Sequence, residues 1–196
     1  MSNPSKNLVL AWAVRMIIYL VLSSSLVFLS AGDWAYPGGW WFVGLQILNT
    51  LGTGFLLVID RPELMARRSQ VGEGTQGWDQ ILARLMAFST LIISLIAALG
   101  VRFDGGWGVS LWGRIVGVLL ATAGHLLTIW AMRVNPFFEG TTRIQAEHDH
   151  HAVTRGPYRW VRHPGYLGVT LYNAALPLVP RVAREAERRA IHWSPA

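Results

Sequence analysis

The 196-residue chain has no cysteine, which excludes disulfide staples, thiol nucleophiles and thiolate-ligated metal centres. Charge is scarce too: Asp, Glu, Lys and Arg make up 14% of the residues, against about a quarter in a soluble domain. Lysine occurs once, at Lys6, so the base behind the +6 net charge is almost wholly arginine. The arginines flank apolar runs instead of forming one stripe, which speaks against a nucleic-acid groove and for topology and lipid headgroups. There is no internal repeat and no G-x-S-x-G elbow, and Gly72, Gly74 and Gly77 read as a flexible link before Trp78. Apolar residues, by contrast, are plentiful: 52% of the chain is hydrophobic and Trp occurs 10 times, a residue favoured at the membrane–water boundary.

Four long apolar runs stand out, at 8–29, 39–59, 85–101 and 109–132. At 1.5 Å per helical residue, about 20 residues cross the roughly 30 Å hydrocarbon core. The third run extends backward through Ile81 to Arg84, and the fourth carries Arg114 near its start and His125 deep inside. A fifth run, Tyr166 to Val179, is shorter and broken by Pro177; it reads as a half-span, a re-entrant segment or a shortened helix. The expected fold is therefore an all-α polytopic membrane bundle of four helices plus a fifth partial span. One membrane domain over 1–179 and a charged tail over 180–196 account for the chain. The first run is longer than a signal-peptide core and contains Arg15, so an uncut helix is expected.

Arginine placement predicts orientation. Arg61, Arg67 and Arg68 lie in the 60–80 loop, and Arg133, Arg143, Arg155, Arg159 and Arg162 follow the fourth run, whereas the 30–38 loop has none and the 102–108 loop only Arg102. Positive-inside counting puts the N-terminus, the 60–80 loop and residues 133–165 in the cytoplasm. Trp34, Trp40, Trp41, Trp107 and Trp112 then belong to the opposite interface. Asp60 is positioned to cap a short helix opening at Pro62, and Gly113 with Gly117 forms a small-xxx-small face on the fourth helix. Gln46, Asn49, Thr53 and His125 are expected to hydrogen-bond between helices, and Arg15 to snorkel or pair within the bundle.

The informative stretch is the polar cassette 133–168, which includes NPFFEGTTRIQAEHDHHAVTRGPYRWVRHPGYLG from Asn135 to Gly168. Gly156-Pro157-Tyr158 and His163-Pro164-Gly165-Tyr166 each join a backbone punctuator to an aromatic, as turns do. From the residues alone, a basic loop anchoring to anionic lipid and a small-molecule pocket roofed by aromatics both fit. His148, Asp149, His150 and His151 offer metal ligands, but adjacent histidines cannot easily share one ion at helical spacing. With no Ser or Cys in the cassette and no G-x-S-x-G elbow, nucleophilic catalysis of the Ser or Cys type is dismissed.

The cassette resembles the signature of the isoprenylcysteine carboxyl methyltransferase and phospholipid methyltransferase superfamily. The matching residues are Asn135-Pro136-Phe137-Phe138, Arg143-Ile144-Gln145, His150 through Val153-Thr154, Gly156-Pro157-Tyr158 and Arg162-His163-Pro164-Gly165-Tyr166-Leu167-Gly168. Upstream, Asp60-Arg61-Pro62-Glu63-Leu64 and Gly77-Trp78-Asp79 are also similar, so the likeness covers about 8–179. The resemblance implies an integral membrane enzyme, bacterial inner-membrane in type, that uses S-adenosylmethionine to methylate a lipid or lipid-linked acceptor. It places Gln145, His150, His151, Ala152, Val153, Tyr158, His163, Pro164, Gly165 and Tyr166 around the cofactor, with Arg162 and His163 at the reacting end. A sulfonium donor suits aromatic faces, and a carboxylate acceptor needs no general base.

In the family pattern a further hairpin, an Arg and a paired acidic motif follow. Here Pro180 runs into RVAREAERRAIHWSPA, read as a charged surface helix from Val182 to Arg189. The expectation is a shortened member lacking the acidic element, with a non-catalytic homologue as one alternative and a membrane sterol-type NADPH reductase of similar fold as another.

Overall fold

The computed structural model describes residues 4–68, 77–103, 109–138 and 153–180. Among the described residues all regular structure is helical. Helix α1 spans Pro4–Ala31, α2 Pro37–Phe55, α3 Pro62–Arg68, α4 Gly77–Phe103, α5 Leu111–Val134 and α6 Pro164–Ala175. Three stretches are long and apolar enough to cross a membrane: Lys6–Ala31, Pro37–Asp60 and Leu111–Val134. Alongside them, α4 contributes an apolar stretch over Phe88–Gly100 and packs along α1.

Local chemistry explains the ends. Gly32, at φ +73°, closes α1 in the left-handed conformation while its N–H reaches the Phe28 carbonyl at 2.9 Å; glycine adopts this without a Cβ clash. Pro37 opens α2 and Pro164 opens α6, where a missing N–H costs nothing. Ser110 caps α5 by accepting from the Gly113 N–H at 3.2 Å. At its other end, α2 slips into a π-helical turn over Leu56–Asp60. There the sequence expectation for Asp60 fails. It does not cap α3 but turns toward α5, where its carboxylate meets Arg133 in a fork, Nε to Oδ2 at 2.9 Å and Nη2 to Oδ1 at 3.3 Å.

The fifth apolar run is not re-entrant. From Pro164, α6 runs antiparallel to α5, continues through a 3₁₀ turn at Leu176–Leu178, and ends with the Pro180 carbonyl against Gly38 at the start of α2. What permits this is a bare backbone contact. A Cβ on Gly124 would lie 2.6 Å from the Gly168 carbonyl oxygen, and one on Gly168 2.5 Å from that of Gly124. Further along, Gly117 faces Ala175 and Leu178. The small-residue face of α5 is thus Gly117 and Gly124; Gly113 meets only Val109 and Ser110.

The main core joins Val27 of α1, Phe42 and Leu45 of α2, Ala98 of α4, Ala121 of α5 and Ala175 of α6. A second cluster, Leu56, Leu57, Leu64, Met65 and Met132, with Trp12 and Phe138 against it, closes the end nearest the cassette. Polar contacts cross the bundle interior: Tyr172 donates to Gln46 Oε1 at 2.5 Å, Thr90 to Asn173 Oδ1 at 3.0 Å, and Thr53 Oγ1 lies 3.3 Å from His125 Nε2. Asn49 is buried beside them with neither side-chain polar atom hydrogen-bonded, so the interhelical bond expected of it does not form. Arg15 is exposed on α1, as snorkelling requires.

Replacing Gly124 with valine should separate α5 from α6. The expected cost is about 1–3 kcal/mol, the usual scale of overpacking, read as a lower melting temperature in detergent with helix content retained.

Candidate functional site

The site is built where α5 ends. Asn135 precedes Pro136 and is held extended, at φ −100° and ψ 106°, as a residue before proline must be. Its side chain works in both directions: Oδ1 accepts from the Phe137 N–H at 2.9 Å, and Nδ2 donates to the Tyr158 hydroxyl at 3.1 Å. One asparagine therefore shapes the exit from α5 and pins the returning chain 23 residues later. Arg155 adds a contact to the Val134 carbonyl at 3.5 Å.

The returning strand of the cassette folds against the same helix end. Gly156 takes φ +58° with Val134 and Trp130 packed on it, a conformation that disfavours any side chain. The short 3₁₀ turn Gly156–Arg159 buries Pro157, and the exposed Trp160 meets Trp130 edge-on with centroids 5.8 Å apart. His163 then occupies the N-cap position of α6. Its ring lies 5.9 Å from that of Tyr166, tilted by 39°.

Of the sequence-derived site residues, the structure brings Val153, Tyr158, Arg162, His163, Pro164, Gly165 and Tyr166 to this one end of the α5–α6 pair. Arg162, His163 and Tyr166 are exposed, Val153 and Tyr158 half-buried, Pro164 and Gly165 buried. Gly165 is needed for close approach, since a Cβ there would sit 2.7 Å from the Phe138 ring. Gln145, His150, His151 and Ala152 lie outside the described residues, as do His148 and Asp149 of the metal alternative and the charged tail.

Two structural partners escaped the sequence reading. Asn135 belongs to the Asn135-Pro136-Phe137-Phe138 element of the cassette, but nothing local names Tyr158 as its partner. The Asp60–Arg133 fork joins positions 73 residues apart and has no sequence signal at all.

Burial lifts the Tyr158 phenol above its usual value of 10.0, a rise only partly offset by the Asn135 hydrogen bond. Tyr158 therefore stays protonated at neutral pH and keeps an O–H to donate. The sign for stability follows from the raised folded value: the contribution is intact below pH 10 and is lost as the unfolded phenol ionises first. Tyr158→Phe should show a shallower fall in stability above pH 10 than the parent. At pH 7 it should cost about 1 kcal/mol for the broken hydrogen bond, both read by denaturant titration in detergent.

Residues 116–186 match the model of the isoprenylcysteine carboxyl methyltransferase (ICMT) family. No curated protein and no solved structure matches the chain. The matched segment begins on α5 just before the Gly117 and Gly124 contacts, takes in the whole cassette and includes α6, so it coincides with the unit whose geometry was just described. The likeness to that methyltransferase family is carried by this segment, a little over a third of the chain.

Proposed function

We propose that this protein transfers a methyl group from S-adenosylmethionine to a lipid-linked or hydrophobic acceptor, at oxygen or nitrogen, on the cytoplasmic side of a membrane. The observation that carries the reading is the His163–Tyr166 ring pair, exposed at the cassette end of α6 within the segment that matches the family. When bound, S-adenosylmethionine supplies an electrophilic sulfonium methyl group.

The donor set fits such a cation. The exposed aromatic face of Tyr166 attracts positive charge and, unlike a carboxylate, is not a nucleophile that the sulfonium would methylate. Tyr158 offers a protonated hydroxyl already oriented by Asn135. Gln145, His150, His151, Ala152 and Val153 would complete the cofactor's surroundings with hydrogen bonds and backbone contact, and Pro164 and Gly165 would support them from below, where Gly165 lets the Phe138 ring pack closely.

The roles at the reacting end follow from charge and reach. Arg162, exposed at the boundary, holds an acceptor carboxylate or phosphate. A carboxylate acceptor attacks without losing a proton, so its reactivity depends on orientation and exclusion of water. An amine or hydroxyl acceptor has a proton to shed, and the His163 imidazole is the base assigned to take it. The Phe137–Phe138 pair and the lipid-facing sides of α5 and α6 let an apolar tail remain in the bilayer while its polar end reaches the cassette.

In detergent, S-adenosylhomocysteine at 100 times its Kd should stabilise the chain by about 2.7 kcal/mol, and NADPH should do nothing. His163→Ala and Tyr166→Ala should each abolish that shift while leaving helix content unchanged. Stabilisation by NADPH alone, or by neither ligand, would refute the assignment. Radiolabelled methyl transfer into extracted membrane lipids identifies the acceptor class.

A further inference from the structure

At the opposite end of the bundle, Arg114 lies in the first turns of α5, is only 8% exposed, and its Nε has no hydrogen-bond partner. Among the described residues no carboxylate lies within ion-pair distance of it; the ion pairs there are Arg61–Glu63 and Arg133–Asp60, at the cassette end. A buried cation without a counter-charge is among the most costly arrangements in a membrane protein. Its position adds to that cost, because the start of a helix carries the positive end of the dipole. Both features are relieved by the same thing, an anion.

The neighbouring surface shows what kind of anion. One helical turn on, Val118 lines a cleft of about 530 Å³ shared with Pro37, Trp40, Trp41, Gly44 and Leu48 of the α2 start. The walls are almost entirely apolar, and two of them are the indoles of Trp40 and Trp41, a side chain favoured where headgroups meet hydrocarbon. Gly44 leaves the cleft open, since a Cβ there would meet nothing within 4 Å. A soluble anion would have no use for such a wall, whereas a lipid acyl chain would fill it.

We infer that Arg114 and the Pro37–Leu48 cleft form a binding site for an anionic phospholipid in the leaflet opposite the cassette, its phosphate on the guanidinium and its acyl chain along α2. This assignment is independent of the methyl-transfer reading and stands or falls without it.

The test uses the full chain in detergent, titrated with phosphatidylglycerol or phosphatidylcholine and followed by native mass spectrometry and melting temperature. In the parent one phosphatidylglycerol should bind with a preference over phosphatidylcholine of about tenfold, the scale of a charge-assisted hydrogen bond. Arg114→Gln should erase that preference. Gly44→Leu, which puts side-chain bulk into the cleft from a position where a Cβ meets nothing within 4 Å, should weaken binding of this lipid without lowering the melting temperature of the unliganded protein. Arg102→Gln, an exposed arginine on the same membrane face, should change neither. The proposal is overturned if Arg114→Gln and Gly44→Leu both keep the parent's lipid preference. It is equally overturned if Arg102→Gln abolishes it, or if inorganic phosphate alone reproduces the thermal shift.

Discussion

The rest of this structure depends on two glycines that let backbone meet backbone. Where Gly124 and Gly168 cross, α5 and α6 approach more closely than any side chain would allow. In lipid, apolar burial gives helices little reason to associate, so close van der Waals contact at small residues has to supply it. The contact sets the register of α6 along its length. One end is left holding Pro164, with His163 and Tyr166 beside it, over the end of α5; the other delivers Pro180 to the start of α2.

Hydrogen bonds inside the bundle convert that proximity into a unique arrangement. Tyr172 and Asn173 are consecutive on α6 yet face different neighbours, Gln46 on α2 and Thr90 on α4. Thr53 and His125 tie α2 to α5 on the same side. Each such pair contributes only about 0.6 kcal/mol in a bilayer, so their value lies in discrimination. A helix rotated by one position would strand several amides in hydrocarbon at once.

The two membrane ends are built on different principles. At the cassette end, charges are matched: Asp60 with Arg133, Arg61 with Glu63, while Asn135 ties two segments by hydrogen bonds. The opposite end relies on aromatics. Trp34 stacks on Phe28 at 5.2 Å and its carbonyl accepts from the Trp40 indole at 3.1 Å. Into that apolar end the fold places one buried arginine without a protein counter-charge among the described residues, which makes it the electrostatic exception of the structure.

By itself, the sequence determined the composition of the solution. Apolar runs of bilayer length dictated helices, Pro37, Pro62 and Pro164 opened α2, α3 and α6, and the order of residues from Asn135 to Gly168 carried the likeness to a methyltransferase family. Those signals are local, carried by hydropathy and backbone chemistry within a few positions. Tertiary structure alone decided that Tyr166 to Val179 runs back along α5 instead of re-entering, and that Gly124 with Gly117, not Gly113 with Gly117, is the contact face. It also decided that Asp60 serves Arg133 and that Tyr158 is Asn135's partner. Each of these is a meeting of distant segments, settled by which close approach fills space and satisfies buried polar groups together, and no window of sequence contains that information.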